Sequence, residues 1–124
     1  MKPAAVIEGG LMRGKVIDRN EYTTAKTDTA YLCVSRKYLH KSNHSACIRC
    51  GKCVSGCPMH LMPLYLAKHA EKGNIKKALA MGLKTCIECG TCTYNCPGGV
   101  EHVYHIKNAK AKYNADRAKE AEHV

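Results

Sequence analysis

Over the first third of the chain, short apolar runs alternate with turn-forming residues. Val6-Ile7, Val16-Ile17 and Tyr31-Leu32-Cys33-Val34 are β-branched or aromatic and are separated by Gly9-Gly10, Gly14 and Asn20. This texture predicts two or three short strands joined by turns. Lys37 to Ser45 is polar and reads as a linker. The 28 residues between Cys57 and Cys86 follow a helical period instead. Pro63 suits the first turn of a helix running to Lys72, which Gly73 ends. Asn74 then caps a short helix with Ile75, Ala78 and Leu79 on one face, closed by Gly82. A last helix is predicted after Pro97-Gly98-Gly99, with Val103, Ile106, Ala109 and Tyr113 on its buried side. Lys107, Lys110, Lys112 and Lys119 should point outward from it, and the tail beyond Asp116 should fray.

The pattern therefore divides the chain into a β-containing segment with its linker, 1–45, and a helical region, 46–124. Neither part is rich in large apolar anchors. The 124 residues include no Trp and no Phe but nine Cys. A small domain so composed is a candidate for support by disulfides or metal. Nine cysteines would leave one thiol over in an all-disulfide framework. Met1 to Gly10 holds no apolar stretch of signal-peptide length, and no run approaches the roughly 18 apolar residues of a membrane span. The expectation is a reducing, cytoplasmic setting in which cysteines serve as ligands.

The helical region also repeats itself. Cys47-Ile48-Arg49-Cys50-Gly51-Lys52-Cys53-Val54-Ser55-Gly56-Cys57-Pro58 returns as Cys86-Ile87-Glu88-Cys89-Gly90-Thr91-Cys92-Thr93-Tyr94-Asn95-Cys96-Pro97. Two-residue gaps let a tight loop turn three thiolates toward three corners of one four-iron cubane, and the fourth cysteine, followed by proline, leads away. In two-cluster ferredoxins that fourth cysteine ligates the other cluster. Applied here, Cys47, Cys50, Cys53 and Cys96 would hold one [4Fe–4S] cluster, and Cys86, Cys89, Cys92 and Cys57 the other. Gly51 and Gly90 would relieve crowding where backbone approaches sulfide. Two zinc sites built from the same eight thiolates are the competing reading, although zinc modules more often use two separated C-x-x-C knuckles.

Charge adds a second alternative. The formal net charge is +10, and two oxidised cubanes of about −2 each would lower it to roughly +6. That excess permits an acidic docking partner. It also permits a basic nucleic-acid-binding module in which metal only braces the fold, although no arginine cluster or aromatic platform accompanies the C-terminal lysines. Gly9-Gly10-Leu11-Met12-Arg13-Gly14 satisfies neither the Walker nor the G-x-G-x-x-G order and reads as a turn. Cys33, alone in a strand-like run, is expected to be a buried, inert thiol. The seven histidines are scattered and read as surface residues. His44, three residues before Cys47, could join a Rieske-type pair, but eight cysteines already complete two cubanes.

From Cys47 to about Tyr113 the chain resembles the C-terminal dicluster domain of the C subunits of Rnf electron-transport complexes. That family's relatives include a cobalamin reductase of propanediol-utilisation microcompartments and a proline-reductase-associated carrier. The resemblance rests on the two C-I-x-C-G-x-C-x-x-x-C-P motifs, the Leu61-to-Met81 insert and the lysine-rich last helix. Gly9 to Gly14 is similar to the family's G-G-P-M-M-G turn, with Leu11 where proline is usual, and Thr24 to Val34 resembles the strand entering its ferredoxin region. The resemblance implies a mainly α, α-helical ferredoxin-like fold. It also implies electrons taken from a flavin-containing or nucleotide-binding partner and handed to a downstream acceptor protein, at a membrane complex or inside a microcompartment. No residue need act as acid, base or nucleophile. Full-length members carry a large flavin- and nicotinamide-binding domain that these residues cannot form, so NADH oxidation is not assigned to this chain.

Overall fold

The computed structural model describes residues 3–17, 22–39 and 44–122. Two compact units emerge, Met1–Ser42 and Asn43–Val124.

In the first unit, β1 (Ala5–Glu8), β2 (Lys15–Ile17) and β3 (Tyr31–Val34) form an antiparallel sheet in the order β2-β1-β3. Val6 lies opposite both Ile17 and Cys33, so the β-branched runs pair with one another. The β1–β2 turn depends on Gly14, where a Cβ would come within 2.5 Å of Gly10 O and 2.8 Å of Glu8 O. The backbone N–H of Gly14 instead donates to Gly10 O at 2.6 Å. Before β3, the Asp28 carboxylate accepts from Ala25 N–H at 2.8 Å and from the hydroxyls of Tyr22 and Tyr31. The two tyrosine rings meet edge to face at 6.0 Å. Cys33 does not follow expectation. It is exposed, because strand alternation assigns the covered face to Leu32 and Val34 instead. Of the expected Lys37–Ser45 linker, Lys37 and Tyr38 belong to one 3₁₀ turn, Arg36–Tyr38, and 40–43 lie outside the described residues, as does the turn predicted at Asn20.

The second unit is helical. Two four-residue helices, α1 (Lys52–Ser55) and α4 (Thr91–Tyr94), lie within the cysteine motifs, with α2 (Pro63–Glu71) and α3 (Ile75–Ala80) between them and α5 (His102–Glu122) last. Pro63 starts α2 where its missing N–H is harmless. Gly73 follows that helix at φ +68°. Asn74 caps α3 by accepting from Lys77 N–H at 3.2 Å. The core consists of Leu66, Ala67, Ala78, Leu83, Ile106 and Ala109, where α2, α3 and α5 meet, and Cys86 packs against its edge. Val103, Ile106 and Ala109 are buried as the period requires, while Tyr113 is half-buried between Lys84 and Arg117. The tail past Asp116 does not fray, since α5 continues to Glu122.

The short helices α1 and α4 approach closely. A Cβ on Gly56 would come within 2.7 Å of Asn95 Nδ2, 3.2 Å of Lys52 O and 3.4 Å of Thr91 Cγ2. With φ at −87°, Gly56 is there for space and not for backbone freedom.

Candidate iron–sulfur centre

Each cysteine motif opens as a loop and closes as a helical turn. The third residue of each motif, Arg49 or Glu88, adopts φ +56°, and the following glycines, Gly51 at +78° and Gly90 at +88°, are also left-handed. Successive left-handed turns curl the backbone so that neighbouring thiols face one hollow. The left-handed backbone favours glycine at both positions. A Cβ on Gly51 would touch nothing within 4 Å.

Two hollows result. One is lined by Cys47, Cys50, Cys53 and Cys96. The other is lined by Cys57, Cys86, Cys89 and Cys92. The fourth cysteine of each repeat therefore lies in the hollow of the other repeat. All eight thiols are free of disulfides. They ring a space and do not converge on a point. Among the described residues, no three His, Cys, Asp or Glu side chains gather closely enough to share a single metal ion. Tetrahedral zinc, with its ligands at about 2.3 Å, would require such convergence. The donor set fits a body larger than one ion.

The walls are mostly apolar. Leu61, Leu66, Val103 and Ile106 line the second hollow, and Leu64 lines the first. Cys53 and Cys92 are buried at the junction of these walls. Burial pushes the Cys53 and Cys86 thiols up and the Cys92 thiol up to about 11, so before any loading they stay protonated. Backbone N–H groups of Leu64, Glu88 and Thr93 oppose this rise at Cys53, Cys86 and Cys92, and two further sulfurs also meet backbone donors. Arg49 N–H lies 3.4 Å from Cys47 Sγ, and Val100 N–H lies 3.4 Å from Cys96 Sγ.

The two mouths differ. Glu88 is held by Lys110 at 2.9 Å, and the same ammonium donates to Cys86 O at 2.5 Å. Lys110 therefore does not point outward as expected; it straps α5 to the second motif. Arg49, at the corresponding place in the first motif, is exposed, as are Ile48 (69%) and Ile87 (52%) beside the two mouths. His44 is also exposed, and its Nδ1 lies 3.0 Å from Gly99 O, outside both rings.

His102 departs from the expectation of a surface histidine. It is 1% exposed and lines the first hollow, and its Nδ1 has no hydrogen-bond partner. Its place was not legible in the sequence, because the residues that share its hollow, Leu64 and Cys53 among them, lie far along the chain.

Residues 46–100 match the family described as "4Fe-4S dicluster domain". The chain is 36% identical over 71 residues to the C subunit of the Na(+)-translocating ferredoxin:NAD(+) oxidoreductase complex of Acetobacterium woodii, covering 57% of this chain and 16% of that protein. It is 39% identical over 80 residues to the C subunit of the ion-translocating oxidoreductase complex of Vibrio cholerae, covering 64% and 10%. It is 32% identical over 77 residues to the C subunit of the proton-translocating ferredoxin:NAD(+) oxidoreductase complex of Clostridium ljungdahlii, covering 62% and 17%. The chain thus spans less than a fifth of the length of these relatives.

Proposed function

We propose, from the premise that residues 46–100 form a 4Fe–4S dicluster domain like that of the Rnf-type C subunits and carry two such clusters, that this chain relays single electrons between larger redox partners. The observation that carries the reading is the exchange of the fourth cysteines between hollows. On this reading Cys47, Cys50, Cys53 and Cys96 would hold one cluster, and Cys57, Cys86, Cys89 and Cys92 the other, in an α-helical ferredoxin-like arrangement. A bound cubane supplies a centre that gains and loses one electron without a proton-transfer residue.

The chain's own residues set the conditions. The apolar walls shield Cys53 and Cys92, while Cys47 and Cys50 are exposed, and the N–H groups of Arg49 and Val100 point at the sulfurs of Cys47 and Cys96. Loading displaces the protons that burial holds on Cys53, Cys86 and Cys92, so it releases acid and is opposed at low pH. The partners in this reading are a flavin-containing or nucleotide-binding protein as donor and a further protein as acceptor. Its setting is the cytoplasmic side of a membrane complex. Among the described residues no helix is long and apolar enough to cross a membrane, consistent with attachment through other subunits.

The test is anaerobic purification followed by metal and sulfide analysis. About eight iron and eight sulfide per chain, with reversible bleaching on reduction, are expected. A colourless protein holding two zinc ions would overturn the reading. Anaerobic capture of the chain from cells, with mass spectrometry of what accompanies it, tests the flavoprotein partner separately.

A further inference from the structure

His102 is the first residue of α5 and is almost wholly buried, yet its Nδ1 meets no protein acceptor or donor. A neutral imidazole carries one N–H and one lone pair, and a buried ring nitrogen left unmatched is a cost that native structures rarely tolerate. His102 lines a more open, polar hollow with Lys68, Glu71 and His105 and also the hollow of Cys47, Cys50, Cys53 and Cys96. A group held there by four thiolates presents only sulfur acceptors, so an Nδ1–H donor would find its match.

The repeat supplies an internal comparison. The 39-residue offset between the motifs continues past the cysteines, so His102 corresponds to Pro63 and Val103 to Leu64. The structure respects this correspondence. The first hollow is walled by Leu64 and His102, and the second by Val103 and Pro63. Pro63 and His102 both open a helix. Where one hollow has an imidazole, the other has a ring with no polar hydrogen at all.

We propose that His102 donates an Nδ1–H hydrogen bond to a sulfur of the cluster held by Cys47, Cys50, Cys53 and Cys96, and that this contact raises its reduction potential relative to a cluster without it. The inference rests on the two-cluster reading above. A donor to sulfur stabilises the more negative, reduced form, which moves the potential upward. Burial, followed by the neighbouring His105, lowers the pKa of His102. In this role His102 is a positioning and tuning residue.

The experiment is a redox titration of the full, cluster-loaded chain followed by electron paramagnetic resonance, comparing wild type with His102→Leu and His102→Gln. Expected is a downward shift of one midpoint in His102→Leu, the other unchanged, with iron content kept, and a smaller shift in His102→Gln, whose amide can still donate. Unchanged midpoints in a fully loaded His102→Leu protein would overturn the inference while leaving the two-cluster reading intact. Absence of iron–sulfur signals from wild type would instead remove the reading beneath it. Should His102→Leu fail to load, wild-type protein grown on isotope-labelled histidine decides. Pulsed resonance showing a histidine nitrogen coupled to one reduced cluster supports the contact, and no such coupling overturns it.

Discussion

Leu66 joins the helical core to the second hollow, and its truncation offers the sharpest test of how the unit is held. The side chain is 0% exposed, packs among Ala67, Ala78, Leu83, Ile106 and Ala109, and also lines the hollow of Cys57, Cys86, Cys89 and Cys92. Leu66→Ala removes three carbons, a transfer loss of about 2.4 kcal/mol at roughly 0.8 kcal/mol each. Three helices pin the surrounding residues, so the site cannot close over the gap. The cavity contribution should bring the total to about 3.5 kcal/mol, within the range measured for buried leucines. Cluster loss makes unfolding irreversible, so the useful quantity is a rate. Helix signal and visible absorbance should be followed together after anaerobic dilution into denaturant. If half the loss falls on the unfolding side, the rate rises roughly twentyfold. Tyr104→Ala, in α5 but 58% exposed, should change it little. A Leu66→Ala rate within about threefold of wild type, or equal to that of Tyr104→Ala, would refute a core held by this packing.

Other outcomes follow from particular contacts. Cys57→Ser should deplete the cluster of the Cys86–Cys89–Cys92 motif, and Cys96→Ser that of Cys47–Cys50–Cys53; iron analysis with resonance spectra of each variant checks whether the losses cross over. Asn74→Ala removes the cap that accepts from Lys77 N–H and should cost about 1 kcal/mol, seen as faster local amide exchange in α3. The Asp28 pKa is lowered, first by the Ala25 N–H and then by the Tyr31 hydroxyl. Its stabilising contribution is therefore present above the ordinary carboxylate value and is lost as pH falls through the depressed one. Acid titration monitored by tyrosine circular dichroism should show this loss in wild type and not in Asp28→Asn.

Local signals made much of this legible in the sequence. The β-branched runs at Val6-Ile7, Val16-Ile17 and Tyr31–Val34 became the three strands, and Pro63, Gly73 and Asn74 marked helix ends by mechanisms that operate within a few residues. The spacing of Cys47 to Cys57 and its return at Cys86 to Cys96 pointed to the chemistry. What escaped depends on contacts distant along the chain. Lys110 folds onto Cys86 and Glu88 because α5 happens to pass there, and the sequence marks it only as another outward lysine. His102 carries no local sign of burial. The exposure of Cys33 escaped because an apolar run gives the strand but not which face is covered. The continuation of α5 beyond Asp116 reflects a residue run without Gly or Pro, which a count of apolar positions alone undervalues.

The close approach of Gly56 to Asn95 sits at corresponding places in the two repeats, 39 residues apart. Asparagine at both would bring a Cβ against the opposing amide, which would have to turn aside, and glycine at both would leave the amide's place to water. An exact tandem copy of either half would therefore build a different seam from this one, and the asymmetry of this single pair marks how far the two halves have become fitted to each other.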